Sequence, residues 1–284
     1  MSGTDAIKGF SYQNSYTLYR LMDLLDEERQ VDSVAVEGKG TDVEDLTITF
    51  ADGTEEAIQV KKRETREGQY GLWGLSDIKH IIAALYQLFQ SDRKVEIFRF
   101  VATGSAHPRV IAIQKACQRL RDDTYSSEND FKAVSDLQEM TGGTEKKTLD
   151  FMEKLWLDIP LESEAHFQQE VQNSLMKEFE VSAETAEKVY NDLYKRVLDK
   201  GQEVAPEDRK IDRHMLIEWL ENLPEGELEG STYVKIQQQV KNLRGKLLGG
   251  KIGEVNGGSI KVEQEVDSVE KGGSMTGLEI DKLS

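Results

Sequence analysis

From Ala6 to about Glu28, the residues Phe10, Tyr16, Leu18, Leu21, Leu24 and Leu25 recur at helical spacing, which predicts an amphipathic helix. The period then changes. Ser33-Val34-Ala35-Val36-Glu37 alternates every second residue, and Asp45–Phe50 and Glu56–Lys62 do the same, predicting three strands. Asp52-Gly53, between the last two, is a hairpin signal because both residues tolerate a positive φ. After a polar loop over 63–74, Ser76 can cap a helix to about Gln90. Its apolar face is Ile78, Ile81, Ile82, Leu85, Leu88 and Phe89. Val95–Val101 reads as a strand, and Pro108 can open a helix to about Arg121. The order is helix, three-stranded meander, helix, strand, helix. It predicts an α/β unit in which the later strand joins the meander.

Past residue 124 the pattern predicts helices only. Val181–Lys200, capped by Ser182, is the clearest, followed by Ile211–Asn222. Phe131–Met140, Thr148–Leu157 and Ser163–Phe179 are further helices. Residues 245–277 hold nine glycines, and Gly257-Gly258-Ser259-Ile260 and Gly272-Gly273-Ser274-Met275 flank an alternating Lys261–Val266. That stretch is either a flexible tail or a short β-like segment for docking or oligomerisation. The expected organisation is a core over 1–123, a helical extension over 124–225 and a Gly-rich tail over 226–284.

Charge complicates any reading that involves nucleic acid. The 284 residues carry 36 basic and 53 acidic side chains, a net charge of −17, whereas nucleic-acid binders usually show a basic footprint. The imbalance is uneven. Residues 1–123 hold 16 basic and 20 acidic side chains, leaving −4, so the remaining −13 belongs to 124–284. No run approaches the ~18 apolar residues of a membrane span, and residues 1–5 show no secretory pattern. Cys117 is the only cysteine, which excludes an internal disulfide and a thiolate metal cluster within one chain. A cytoplasmic protein is expected, with Cys117 buried and inert.

The candidate chemistry lies between Glu37 and Lys61. Gln59 and Lys61, two apart on a strand, share a face, while Ile58 and Val60 point to the core. Asp45 opens the neighbouring hairpin strand and Glu37 ends the strand before it. A carboxylate, an amide oxygen and an ammonium can therefore converge at one end of a small sheet. Such oxygen ligands suit Mg²⁺, which keeps several waters, and a lysine beside it can orient water or stabilise charge on a phosphodiester. Lys62 and Arg63, which follow, could hold flanking phosphates. Trp73, in the loop beyond, could wedge into DNA or simply pack.

The set resembles the PD-(D/E)xK nuclease superfamily in the variant whose third strand reads QxK. Gly9-Phe10-Ser11-Tyr12-Gln13, Val36-Glu37-Gly38, Glu44-Asp45-Leu46 and Ile58-Gln59-Val60-Lys61 together look like one of its families. This is the double-stranded-DNA endonuclease domain at the N-terminus of CD-NTase-associated antiphage effectors, with relatives beside HerA-type ATPases and in STAND-type defence proteins. The resemblance implies a restriction-endonuclease-like core and a Mg²⁺-dependent DNA endonuclease of prokaryotic immunity, with Mn²⁺ able to substitute. It makes Asp45 a metal ligand, Gln59 the variable second position and Lys61 the catalytic lysine. Glu37 matches an acidic position that can also ligate metal, and Gln13 a polar residue of the first helix near the site. The loop 38–43 lengthens the spacing from Glu37 to Asp45, so Asp42 or Glu44 are alternative ligands. The effectors usually continue into a nucleotide-sensing domain, and this chain is expected to be too short to hold one. Expected partners are duplex DNA, further copies of the chain, and an ATPase or sensor encoded nearby. The competing reading is a non-catalytic, nuclease-like module that recruits such a partner.

Overall fold

The computed structural model describes residues 3–37, 43–63, 71–160, 162–223 and 230–247. Contacts divide the chain into one unit over Met1–Val240 and a second over Lys241–Ser284. Among the described residues the first unit is built on a six-stranded mixed sheet. Helix α1 (Gly3–Leu21) leads into two 3-10 turns, Met22–Leu24 and Glu27–Arg29. The expected single helix to Glu28 stops early because Asp26 leaves helical geometry and accepts a hydrogen bond from the Glu28 N–H at 2.9 Å.

Strands β1 (Val31–Val36), β2 (Leu46–Phe50) and β3 (Glu55–Lys61) form the antiparallel meander. Its tight turn holds because Gly53 takes φ +78° and Asp52 accepts from the Thr54 N–H at 2.9 Å. A two-stranded parallel ribbon pairs β4 (Leu72–Trp73), which leads into helix α2 (Leu75–Phe89), with β6 (Ser105–Ala106), which leads into helix α3 (Pro108–Arg121). Strand β5 (Val95–Ala102) joins β3 in parallel, as the meander required. Helix α2 begins one residue before Ser76, with Asp77 accepting from the Gly74 N–H at 2.7 Å.

Helices α4 (Glu128–Thr141) and α5 (Glu145–Lys154) follow, then α6 (Glu164–Phe179) and α7 (Ala183–Gly201), capped by Ser163 and Ser182. Two strands interrupt this expected helical stretch. Strand β7 (Leu155–Asp158) pairs in parallel with β5, and β8 (Lys210–Asp212) pairs antiparallel with β1, giving the order β7-β5-β3-β2-β1-β8. Helix α8 (Arg213–Glu221) therefore starts later than Ile211, because Asp212 is its cap and accepts from the Met215 N–H at 2.8 Å. Helix α9 (Gly230–Leu247) lies within the expected tail. The paired glycine motifs and Lys261–Val266 lie outside the described residues. None of the helices among the described residues is long and apolar enough to cross a membrane.

Helices cover both faces of the β3–β5 region. On one face Ala57, Phe98 and Phe100 pack with Ile78, Ile82 and Leu85 of α2, and with α3, α4 and α5 through Ile113, Leu137 and Phe151. On the other, α1 packs against α6 through Tyr12, Tyr16 and Phe167, and against α7 through a 3.1 Å hydroxyl contact between Ser15 and Tyr190. Glu56 of β3 is buried on this second face between Arg20 of α1 and Arg99 of β5. Cys117 is buried in the first layer, and burial pushes its thiol up to about 12, so it stays un-ionised.

Candidate active site

The strand period and the hairpin register assemble the cluster. Leu46 faces Ile58 across the β2–β3 ladder, and one step further along that register Asp45 lies opposite Gln59. Lys61 is two residues on and shares the face of Gln59. The Asp45 main chain is fixed on both sides. Its N–H donates to the Ile58 carbonyl at 2.9 Å, and its carbonyl accepts from the Glu37 N–H at 2.7 Å. Gln13 of α1 donates to the same carbonyl at 3.4 Å, so it steadies the Asp45 backbone and leaves the carboxylate alone.

Three donors converge on one oxygen of Asp45. Oδ2 accepts from the Gln59 carboxamide, from the Val60 N–H at 2.8 Å and from the Lys61 ammonium at 3.2 Å. Among the described residues Oδ1 accepts no hydrogen bond. Gln59 is buried, whereas the Asp45 and Lys61 side chains are 20% and 40% exposed. The cluster is thus a carboxylate held rigidly through one oxygen, with its other oxygen and an ammonium reachable from outside.

The remaining expected residues are placed differently. Glu37 sits in the left-handed region at φ +54°, and its side chain pairs with Arg209 of the 3-10 turn Pro206–Arg209 at 3.3 Å, not with the cluster. Glu44 turns its buried carboxylate back to Thr47 and Arg93, and Arg93 also binds Glu55 at 2.8 Å. Glu55 begins β3, about 20 Å along the strand from Lys61 at ~3.3 Å per residue, so Glu44 points away from the cluster. Asp42 lies outside the described residues. Arg63 is committed to the fold. It pairs with Asp77 at 3.0 Å, donates to the Leu72 carbonyl at 2.7 Å and stacks on Trp73. Trp73 is buried edge-on against Phe100 and donates to the Thr103 carbonyl at 2.7 Å, so it packs. Lys62 contacts Glu164 at 3.3 Å.

Glu164 and Arg209 belong to this rim and were not singled out from sequence. Ser163 marks the start of a helix and so places Glu164 in its first turn, but nothing local links Glu164 to a lysine 102 positions earlier. Around it, burial raises the pKa of the Tyr12 hydroxyl, with Tyr16, Glu162 and Glu164 adding to the shift.

No group of three or more His, Cys, Asp or Glu side chains that could hold a metal occurs among the described residues. The donor set at the cluster is one carboxylate and one carboxamide. It fits a hard cation that keeps most of its waters and takes further oxygens from a substrate phosphate, the usual manner of Mg²⁺.

A mixed sheet with helices on both faces, and a carboxylate, an amide and an ammonium meeting at the end of its central strands β2 and β3, defines the class: an α/β protein with a hydrophilic cluster at the meander's end. Residues 1–201 match the model of the Cap4 dsDNA endonuclease domain, and the chain belongs to that family. Solved structures share the fold. The Cap4 SAVED/CARF-domain containing receptor of Acinetobacter baumannii with the cyclic trinucleotide 2′3′3′-cAAA aligns at TM-score 0.52 and 11% identity, over 79% of this chain and 50% of that one. The same receptor with 3′3′3′-cAAA aligns at 0.50 and 12% identity, with the same coverage. The Moraxella osloensis Cap4 receptor aligns at 0.50 and 11% identity, over 80% of this chain and 49% of that one. The chain thus spans about half the length of these receptors. No curated protein matches it.

Proposed function

We propose that the chain is a metal-dependent endonuclease that hydrolyses phosphodiester bonds of duplex DNA as an effector of prokaryotic antiphage defence. The observation that carries this is the Asp45 carboxylate, fixed by Gln59, the Val60 N–H and Lys61 at the open end of the β2–β3 hairpin. Membership of the endonuclease family supports the same reading. Asp45 and Gln59 would hold Mg²⁺, or Mn²⁺ in its place. Bound there, the metal supplies neutralisation of phosphate charge and activation of water.

The chain's own groups do the rest. The Val60 N–H and Gln59 fix the carboxylate so that it need not reorganise when substrate arrives. Lys61 places an ammonium where charge develops on the phosphodiester. Gln13 and the Glu37 N–H hold the Asp45 backbone in register. A free DNase endangers its host, and cutting both strands takes two such sites, so the active form is an oligomer or a complex with a defence ATPase or sensor. The likeness to cyclic-trinucleotide receptors supports control by a sensing component.

The test is nicking of supercoiled plasmid over a range of protein concentrations, alone and with the protein encoded beside it. Mg²⁺ should support cleavage and EDTA should stop it. Lys61→Ala and Asp45→Ala should each lower the rate by on the order of 10³-fold while the melting temperature stays near that of wild type. Cleavage at wild-type rates by both variants would overturn the assignment of the site. Absence of metal-dependent nicking under every condition would favour a non-catalytic recruiting module.

A further inference from the structure

Each cation described on this rim has a carboxylate partner within the chain: Lys61 with Asp45, Lys62 with Glu164, Arg63 with Asp77 and Arg209 with Glu37. The pairs are not equivalent. Arg63 is also tied to a carbonyl and an aromatic ring, and Arg209 donates to the Glu203 carbonyl at 2.7 Å. Among the described residues Lys62 makes a single polar contact, to Glu164 Oε2 at 3.3 Å. Its partner is the anchored one. Glu164 is the first residue of α6, where the helix dipole favours an anion, and its other oxygen accepts from the Ser11 hydroxyl of α1. The α1–α6 packing of Tyr12 and Tyr16 on Phe167 fixes both helices. An ammonium, a hydroxyl and a helix N-terminus therefore surround one carboxylate, and this is a set of groups suited to a phosphate.

We infer that Glu164 is a built-in competitor for the DNA backbone: it occupies Lys62, the residue next to Lys61, and a substrate phosphate must displace it. The inference rests on the reading of the site as one that acts on DNA. It supplies a physical form of restraint. The pair is only partly exposed, at 24% and 32% of the two side chains, and a single such pair is weak and screened by salt, so a substrate phosphate can displace it at small cost. A duplex held by several copies would tip the balance.

The experiment measures binding of a fluorescent duplex by anisotropy, in EDTA to prevent cleavage, across a salt series. Glu164→Gln keeps the shape and can still accept from Ser11. It should tighten binding about 3- to 10-fold and steepen the dependence of log K on log salt by about 0.9, as one added phosphate contact would. The double variant Glu164→Gln with Lys62→Met should show neither change relative to Lys62→Met alone. An equal gain in both backgrounds would mean that Glu164 merely repels DNA at a distance, and would overturn the inference. Unchanged or weaker binding by Glu164→Gln would overturn it as well. Wild type that binds duplex while Glu164→Gln gives no gain defeats this inference alone; failure of wild type and every variant to bind duplex defeats the DNA reading with it.

Discussion

Two carboxylates of the β2–β3 hairpin, Glu56 and Asp45, are treated in opposite ways. Glu56 faces α1. Its Oε2 accepts from Arg20 at 2.9 Å, its Oε1 accepts from Arg99, and its side chain is 2% exposed. Burial alone would raise its pKa, but the two guanidinium groups outweigh burial and hold it below the usual carboxylate range. Asp45, reached from the other face of β3, has its donors gathered on one oxygen. Both oxygens of the first carboxylate are spent on the fold, and the second keeps one in hand. The contrast shows how one strand serves scaffold and site together. Over-compensated charge locks α1, β3 and β5, and under-compensated charge remains available to a ligand.

The largest effect expected from breaking this contrast is on the scaffold side. Glu56→Gln leaves two buried guanidinium groups facing a neutral amide, although Arg20 keeps Asp23 and Arg99 keeps Asp158. Removing one partner of a buried pair costs ~3–5 kcal/mol, and the surviving partners put the expectation near ~3 kcal/mol. Urea unfolding should show it, while cleavage per folded molecule stays within a few-fold of wild type. A loss under about 1 kcal/mol would mean that the triad is not the lock described here.

Asp130 sharpens the same point with a smaller effect. It is buried at the start of α4, where burial raises its pKa, but hydrogen bonds from Arg119 and from Ser126 and Ser127 outweigh that and lower it strongly. For Asp130 and Glu56 alike, the folded-state pKa lies below the unfolded one. The stability they confer is therefore fully present above the unfolded value of about 4 and is lost as pH falls through the folded values. Asp130→Ala should cost about 1–2 kcal/mol near neutrality through loss of the capping box. Its unfolding free energy should also decline less steeply than that of wild type between about pH 5 and 3. Parallel declines for the two proteins would show that Asp130 is not a source of the acid sensitivity.

What could be read in advance follows from the range of each interaction. The meander, β5 and α3 were legible because alternation, Asp52-Gly53 and Pro108 act within a few residues. The Asp45, Gln59 and Lys61 cluster was legible because a two-residue period and a short hairpin fix which side chains meet. Strand β7 was not, since four alternating residues adjoin Phe151 and Met152 of a helix and read as its continuation. Strand β8 has three residues, and its partner β1 lies far back in the chain. The rim pairs Lys62–Glu164 and Glu37–Arg209 join α6 and the turn after α7 to the meander, contacts that no local pattern encodes.

Glu37 is the last and mildest test of the contrast, because it stands between the two classes. Its N–H is part of the frame around Asp45, whereas its side chain leaves the cluster for Arg209, which is a partly exposed pair. Glu37→Gln preserves the backbone contact and removes only that pair, worth about 0–1 kcal/mol. Plasmid cleavage by this variant should stay within about threefold of wild type, and its melting temperature should move by no more than a few degrees. A fall comparable to that of Asp45→Ala would mean that Glu37 gives up Arg209 during the reaction and serves as a second acidic ligand. The open end of the hairpin would then hold two available carboxylates, and the division between spent and available charge would run through Glu37 itself.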